Sequence, residues 1–175
     1  ETEATKNIFD ITKRFHENLP KGWCPPADKS SSKELKFNAL ESEYAVGTAK
    51  NKGVGRGQTV QLFHGSEVAF WPSAEDHGRG ILQSVADEPN TEIILESTAN
   101  GMGNYFHAQW QMAMSGSSEY QAMFLPWYWM DTYKSYNTGF KPDDDEQLLL
   151  DCYSDDGLTP EHLAWRRIKI SNLSK

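Results

Sequence analysis

The composition of this 175-residue chain is that of an ordinary globular protein with an excess of negative charge. Hydrophobic residues make up 38% of it, which argues against extended disorder, and a chain of this length can bury a sizeable core. Its 17 lysines and arginines against 25 aspartates and glutamates give a formal charge of -8, which argues against a protein whose whole face coats nucleic acid.

The N-terminal part of the chain predicts one helix and two strands. Apolar residues recur at helical spacing over Thr5–Leu19, which predicts an amphipathic helix that Pro20 ends. The segments Glu34–Leu40 and Tyr44–Ala49 follow a polar loop and have the residue types of strands.

A glycine-rich segment over residues 53–57 carries Arg56 between two glycines. It fails as a phosphate-binding P-loop, because no Lys-Ser/Thr pair follows it and the chain then enters a strand rather than a helix. Two interpretations remain open. The segment is either a mobile loop that presents Arg56 or a plain flexible turn.

Strands and helices alternate through the middle of the chain. The predicted elements are a strand ending at Glu67, a helix from Pro72 to about Ala86, a strand over Thr91–Glu96, a helix over Asn104–Met114 and a strand over Tyr120–Trp127. This alternation is typical of β-α-β units and predicts a mostly parallel sheet with flanking helices. From about residue 138 the pattern changes, and helix starts near 142–146 and 159–161 predict a small helical subdomain or hinge.

The sequence contains no apolar run near the roughly 18 residues that cross a bilayer, and its start lacks a signal-peptide pattern. It therefore predicts a cytosolic protein with no membrane partner. Cys24 and Cys152 lack the spacing of a metal site, and both are predicted to be free thiols.

Polar side chains follow two of the predicted strands. Glu67 ends one strand, and the tip Ser97-Thr98-Ala99-Asn100-Gly101 follows another. The carboxyl ends of parallel strands meet at one edge of a sheet, so these side chains are predicted to converge on one site. Glu67 is then a candidate base that orients and deprotonates an attacking water, or else a solvated acid at a strand end.

The residues beside Glu67 leave further alternatives open. Ser66 stands where many nucleotidases have an aspartate, and it can hold a metal-bound water only as a neutral ligand. The tip that includes Asn100 can hydrogen-bond the γ-phosphate region of a nucleotide or cap and turn the next helix. Such an element can pass the nucleotide state to a moving part.

Several segments together resemble the large terminase subunit of tailed bacteriophages. The segments that carry the resemblance are Leu19-Pro20, Gly55-Arg56-Gly57, Leu62 to Trp71, Glu96 to His107, Phe124 to Tyr128 and Trp165-Arg166-Arg167. These segments are spread along nearly the whole chain, so the resemblance extends over most of its length. The pieces Ser66 to Trp71 and Glu96 to Gly101 are the most specific.

The resemblance implies a partial RecA-like P-loop NTPase core over residues 1–137 and a helical lid or linker over residues 138–175. By position, Glu67 matches the catalytic glutamate of the Walker B segment, and Ser97, Thr98 and Ala99 match the coupling motif. Arg56 matches an arginine that some members offer to a neighbouring subunit's ATP.

The resemblance also implies the partners. The expected function is an ATP- and Mg²⁺-dependent motor that moves viral double-stranded DNA into a procapsid, in a protein that also carries a nuclease. The expected partners are duplex DNA, the small terminase subunit, the portal and further copies in a ring, all in the host cytoplasm.

Two family features do not occur in this sequence, a Walker A motif and a cluster of nuclease carboxylates. The chain by itself is therefore expected to bind ATP poorly, as an excised middle of the protein or a split or decayed prophage gene. The alternatives are an inactive remnant or interaction module with the same fold, or a helicase-like ATPase.

Overall fold

A computed structural model describes residues 3–31, 33–49, 59–136 and 139–173 of the chain. The chain divides into two compact units, Glu1–Tyr120 and Gln121–Lys175. Within the described ranges, no helix is both long and apolar enough to cross a lipid bilayer.

The first unit begins with a helix and a small antiparallel sheet. Helix α1 spans Glu3–Glu17, where a helix over Thr5–Leu19 was predicted. Strands β1 (Lys29–Ser30), β2 (Glu34–Phe37) and β3 (Ser42–Ala45) pair in the order β1-β2-β3. Phe9 of α1 and Leu35 of β2 are buried, at 1% and 3% exposure. Burial of these apolar side chains is the main force that stabilises this part.

The rest of the first unit contains one β-α-β connection. Strand β4 (Leu62–Gly65) pairs in parallel with β5 (Glu92–Leu95), and helix α2 (Ala74–Leu82) lies between them in sequence. Helix α3 spans Tyr105–Met114. These four elements were all predicted, and the predicted parallel pairing of the two strands is confirmed.

The predicted RecA-like, mostly parallel core is wrong. The described residues hold only a three-stranded antiparallel sheet and a two-stranded parallel pair. The connection from β2 to β3 is a short 3-10 helix, Asn38–Leu40, whereas a parallel pair needs a crossover of a dozen or more residues. The predicted strand over Tyr120–Trp127 does not form: residues 121–126 have no regular structure, and Pro126 cannot donate to a β-ladder.

The second unit is helical. A 3-10 helix, Trp127–Trp129, precedes helices α4 (Asp144–Tyr153) and α5 (Pro160–Leu173), and both α-helices were predicted. Its aromatic cluster consists of Trp127, Tyr128, Tyr133, His162 and Trp165. The ring of Trp165 stacks on Tyr133 at 4.3 Å between centroids and on Trp127 at 5.8 Å. The predicted division into a core over 1–137 and a lid over 138–175 stays a prediction.

Glu146 joins the two long helices of this unit. It is 4% exposed, and its carboxylate accepts hydrogen bonds from the backbone N–H of Asp143 at 3.1 Å and from Nε of Arg167 at 3.1 Å. The Asp143 side chain accepts in turn from the backbone N–H of Glu146 at 2.9 Å, which completes a capping box at the start of α4. One carboxylate therefore caps α4 and anchors α5.

We expect Glu146→Ala to lower the free energy of unfolding by about 2–3 kcal/mol, because it removes charge-assisted hydrogen bonds and unpairs the capping amide. Glu146→Gln should cost less, because glutamine also completes a capping box. Urea unfolding measures both. Asp151→Ala, which removes an exposed partner of Gln147 on the same helix, is the control and should cost no more than about 0.5 kcal/mol. Equal losses for Glu146→Ala and Asp151→Ala would contradict this role of Glu146.

Candidate functional site

The parallel pairing of β4 and β5 brings two polar segments to the same edge. Gly65, the last residue of β4, lies opposite Leu95, the last residue of β5. Glu67 follows the first strand, and Ser97 and Thr98 follow the second. The convergence predicted for these side chains is therefore present.

One oxygen of the Glu67 carboxylate receives every hydrogen bond that reaches this group from the described residues. Its Oε2 accepts from Thr98 Oγ1 at 3.1 Å, from the Thr98 backbone N–H at 3.4 Å and from Ser97 Oγ at 3.4 Å. The Ser97 hydroxyl has a single proton, and the Thr98 carbonyl is a closer acceptor for it at 2.8 Å. Thr98 is therefore the main donor to Glu67, and the side chain of Glu67 stays exposed to water.

The backbone of Glu67 is strained. Its φ of 54° and ψ of 42° lie in the left-handed region, which costs a non-glycine residue roughly 1–2 kcal/mol. The 3-10 helix Val68–Phe70 begins directly after it. Strain of this kind persists where the surrounding structure fixes the chain, and it is enriched at functional sites.

We expect Glu67→Gly to be more stable than Glu67→Ala by about 0.5–1 kcal/mol. Both variants lose the carboxylate, but only glycine adopts the left-handed conformation freely, and this gain exceeds its greater entropy loss on folding. Urea unfolding of the two variants measures the difference. Within α3, the exposed Ala108 gives the reference: Ala108→Gly should destabilise by about 1 kcal/mol. An alanine variant at 67 as stable as the glycine variant would show that the backbone there is unstrained.

Side chains after β5 hold the segment that follows Glu67. Ser97 Oγ accepts from the backbone N–H of Ala69 at 3.2 Å, and Asn100 Nδ2 donates to the carbonyl of Ala69 at 3.1 Å. The backbone N–H of Val68 donates to the carbonyl of Glu96 at 3.1 Å. These three bonds fix the position of the 3-10 helix, and through it the direction of the Glu67 side chain.

Asn104 connects the same loop to helix α3, a role that the sequence analysis missed. Its Oδ1 accepts from the backbone N–H of His107 at 2.9 Å and caps the helix. Its Nδ2 donates to the carbonyls of Asn100 at 2.9 Å and Gly101 at 3.2 Å. The preference for asparagine at helix N-caps was the available signal, because Asn104 directly precedes an apolar helical pattern.

Ser66, the predicted metal ligand, lies between strand β4 and Glu67. Ser66 supplies one neutral hydroxyl, and its carbonyl accepts from the indole N–H of Trp71 at 2.8 Å. In the part of the chain that the structure describes, there is no group of three or more His, Cys, Asp or Glu side chains that could hold a metal ion. Magnesium usually takes one or two carboxylates together with substrate phosphates, so Ser66 alone does not form its site.

Two further residues were predicted to belong to the site, Ala99 and Arg56. Ala99 is exposed on the loop after β5. Arg56 lies outside the described residues, so its predicted role has no structural account.

An open cavity of about 400 Å³ lies beside the 3-10 helix Val68–Phe70 and is lined by Glu75, Asp76 and Tyr105, among other residues. Burial and the nearby Glu75 raise the pKa of Tyr105, and the two carboxylates disfavour a phosphate there.

No protein-family model matches this sequence, and no curated protein is detectably similar to it.

Proposed function

We propose that this chain supplies the water-activating part of an ATP-hydrolysing motor that packages viral DNA, of the terminase large-subunit type. The observation that carries the proposal is the contact between Glu67 and Thr98 across the carboxyl ends of two parallel strands. The sequence pieces around these two residues are the ones with the most specific resemblance to that family.

Glu67 acts in this proposal as the base. Its exposed carboxylate has one oxygen held by Thr98, while the other, Oε1, makes no hydrogen bond within the described part of the chain. A carboxylate fixed in this way can orient a water and take its proton as the water attacks the terminal phosphate of ATP. Thr98 and Ser97 position the carboxylate and do not themselves react.

In this proposal, the loop after β5 couples ATP hydrolysis at Glu67 to movement of helix α3. The bonds from Ser97 and Asn100 to Ala69 and from Asn104 to the loop link the Glu67 segment to the start of α3. A change in how Thr98 binds Glu67 would therefore be passed to that helix. The loop after β5 and helix α3 are therefore the elements through which ATP hydrolysis would drive motion of the DNA.

The proposal includes the partners that the family implies. ATP arrives as substrate with Mg²⁺, and the further phosphate contacts come from residues outside those described here. Duplex DNA, the small terminase subunit, the portal and neighbouring copies in a ring are the proposed partners, in the host cytoplasm.

Release of phosphate from ATP by the natural gene product that contains this chain tests the proposal. We expect Mg²⁺-dependent hydrolysis that duplex DNA or portal-bearing procapsids stimulate. Stimulation by single strands with strand separation would identify a helicase-like ATPase instead. A complete lack of hydrolysis in the assembled system would identify an inactive remnant or interaction module.

A further inference from the structure

The second compact unit contains a histidine that is almost completely buried. His162 lies in the first turn of α5 and is 1% exposed. Its Nδ1 accepts from the backbone N–H of Thr159 at 3.1 Å, and the Thr159 hydroxyl also lies 3.1 Å away. A backbone N–H can only donate, so Nδ1 carries no proton and the neutral ring has its proton on Nε2. The ring thus replaces the Glu or Gln of an ordinary capping box at the start of α5.

The protonated nitrogen of this ring lies among aromatic side chains. Nε2 is buried and has no hydrogen-bond partner in the described residues. The ring plane is perpendicular to that of Trp127, with 5.9 Å between centroids, and tilted against Tyr128 at 6.3 Å. Aromatic faces offer an N–H only a weak interaction, so this environment does not stabilise a positive charge by direct hydrogen bonding.

The charged groups that face His162 come from two segments. Asp131 and Lys134 follow the 3-10 helix and form an ion pair of 2.7 Å, and Glu161 precedes the histidine in α5. Burial lowers the pKa of His162 below its ordinary value of 6.5, and Lys134 lowers it further, while Asp131 and Glu161 oppose the shift.

The tyrosine that faces the ring does not change this balance. Burial raises the pKa of Tyr128, and the nearby Asp156 and Tyr153 raise it further, so Tyr128 is neutral throughout the range in which histidine titrates. The shift of His162 therefore depends on burial and on the three charged side chains around it.

We propose that the hydrogen bond from the Thr159 N–H to Nδ1 of His162 acts as an acid-sensitive latch, by which we mean a contact that closes the first turn of α5 only while the ring is neutral. Protonation of His162 opens this turn and loosens the aromatic cluster. A proton on Nδ1 would face the N–H of Thr159, which places two donors against each other, and it would add a charge to a buried ring. The open turn would also release the hydrogen bond of 2.9 Å from the Ser135 backbone N–H to the carbonyl of Glu161.

The direction of the pH effect follows from the sign of the shift. The folded unit binds the proton more weakly than the unfolded chain does. The latch therefore contributes its full stability above about pH 6.5, the ordinary value for histidine, and loses it as the pH falls toward the lower pKa of the folded state.

Unfolding of the intact chain by urea at pH 7.5, 6.5 and 5.5, followed by tryptophan fluorescence, tests the latch. We expect the unfolding equilibrium constant of the wild type to rise severalfold between pH 6.5 and 5.5, with a limit of tenfold per pH unit for one proton. His162→Gln should lack this rise, because glutamine accepts from the Thr159 N–H but does not titrate. His64→Gln, at an exposed histidine of the first unit, should keep it.

An identical pH dependence in His162→Gln and wild type would overturn the proposal. Should that variant not fold, proton NMR of the wild-type ring decides the question. An imidazole titration with its midpoint below 6.5, accompanied by shifts of the Trp165 indole resonances, supports the latch. A midpoint at or above 6.5, or a titration that leaves Trp165 unchanged, rejects it.

Discussion

Glu67→Gln should abolish most ATP turnover of the full-length gene product while leaving nucleotide binding intact. Glutamine keeps the size of the side chain and can still accept from Thr98, but it cannot take a proton from water. Loss of a general base typically costs 10²–10⁴-fold in rate, or about 3–5 kcal/mol in the activation free energy. Steady-state phosphate release gives the rate, and titration with a non-hydrolysable ATP analogue gives the affinity.

The control for Glu67 is its strand neighbour Glu96, which pairs with His64 at 3.6 Å on the exposed side of the parallel strands. Glu96→Gln removes a carboxylate from the same edge, and its turnover should stay within about threefold of wild type, because the Glu96 side chain makes none of the hydrogen bonds that hold Glu67. Turnover by Glu67→Gln within tenfold of wild type would remove Glu67 from the catalytic role.

Arg56→Ala should reduce ATP turnover by 10³–10⁵-fold, roughly 4–7 kcal/mol, if Arg56 acts as an arginine finger. A guanidinium is always charged and can bridge two phosphate oxygens, which suits it to the charge that builds up during phosphoryl transfer. The prediction depends on the resemblance and on the flanking glycines, because Arg56 lies outside the described residues. Arg14→Ala on helix α1 is a charge-matched control that should leave turnover unchanged.

Mixed assemblies distinguish action across a subunit boundary from action within one subunit. Arg56→Ala subunits alone and Glu67→Gln subunits alone should both be nearly inactive, while a mixture should regain part of the activity. The recovery arises wherever an intact Glu67 meets a neighbour's intact Arg56. A mixture no more active than the sum of its parts, with assembly demonstrated, would show that Arg56 acts within its own subunit or only shapes the loop.

The sequence predicted individual elements better than it predicted their arrangement. Helical spacing and caps identified α1, α3, α4 and α5, because those signals are local. The parallel pair β4 and β5 was also predicted, because a helical segment separates two short apolar runs. Local patterns do not state which strand pairs with which, so the mostly parallel sheet predicted for the chain did not foresee that β2 and β3 form an antiparallel pair.

The apolar run before Trp127 shows a second limit of sequence patterns. Met123, Phe124 and Leu125 have the composition of a buried strand, yet all three are about 70% exposed and form no β-ladder. Composition reports only that a segment suits a sheet, whereas a strand exists only when a partner donates and accepts its hydrogen bonds.

The sequence predicted the part of the candidate site that is set by the ends of strands β4 and β5. Glu67, Ser97 and Thr98 were named from their positions after apolar runs, and all three are in contact. The sequence could not indicate that Glu67 is strained, or that, within the described ranges, one Glu67 oxygen takes all the hydrogen bonds to that carboxylate and the buried His162 Nε2 has no partner. These features depend on long-range packing, which a single sequence does not display.

Protection of duplex DNA from nuclease in a packaging reaction tests the central claim most directly. The reaction contains the full-length gene product, the small subunit, portal-bearing procapsids, ATP and Mg²⁺. The account predicts ATP-dependent protection of genome-length DNA by the wild type, and none by Glu67→Gln at equal procapsid binding. Protection by Glu67→Gln, or its absence in a wild type that hydrolyses ATP and docks on procapsids, would contradict it.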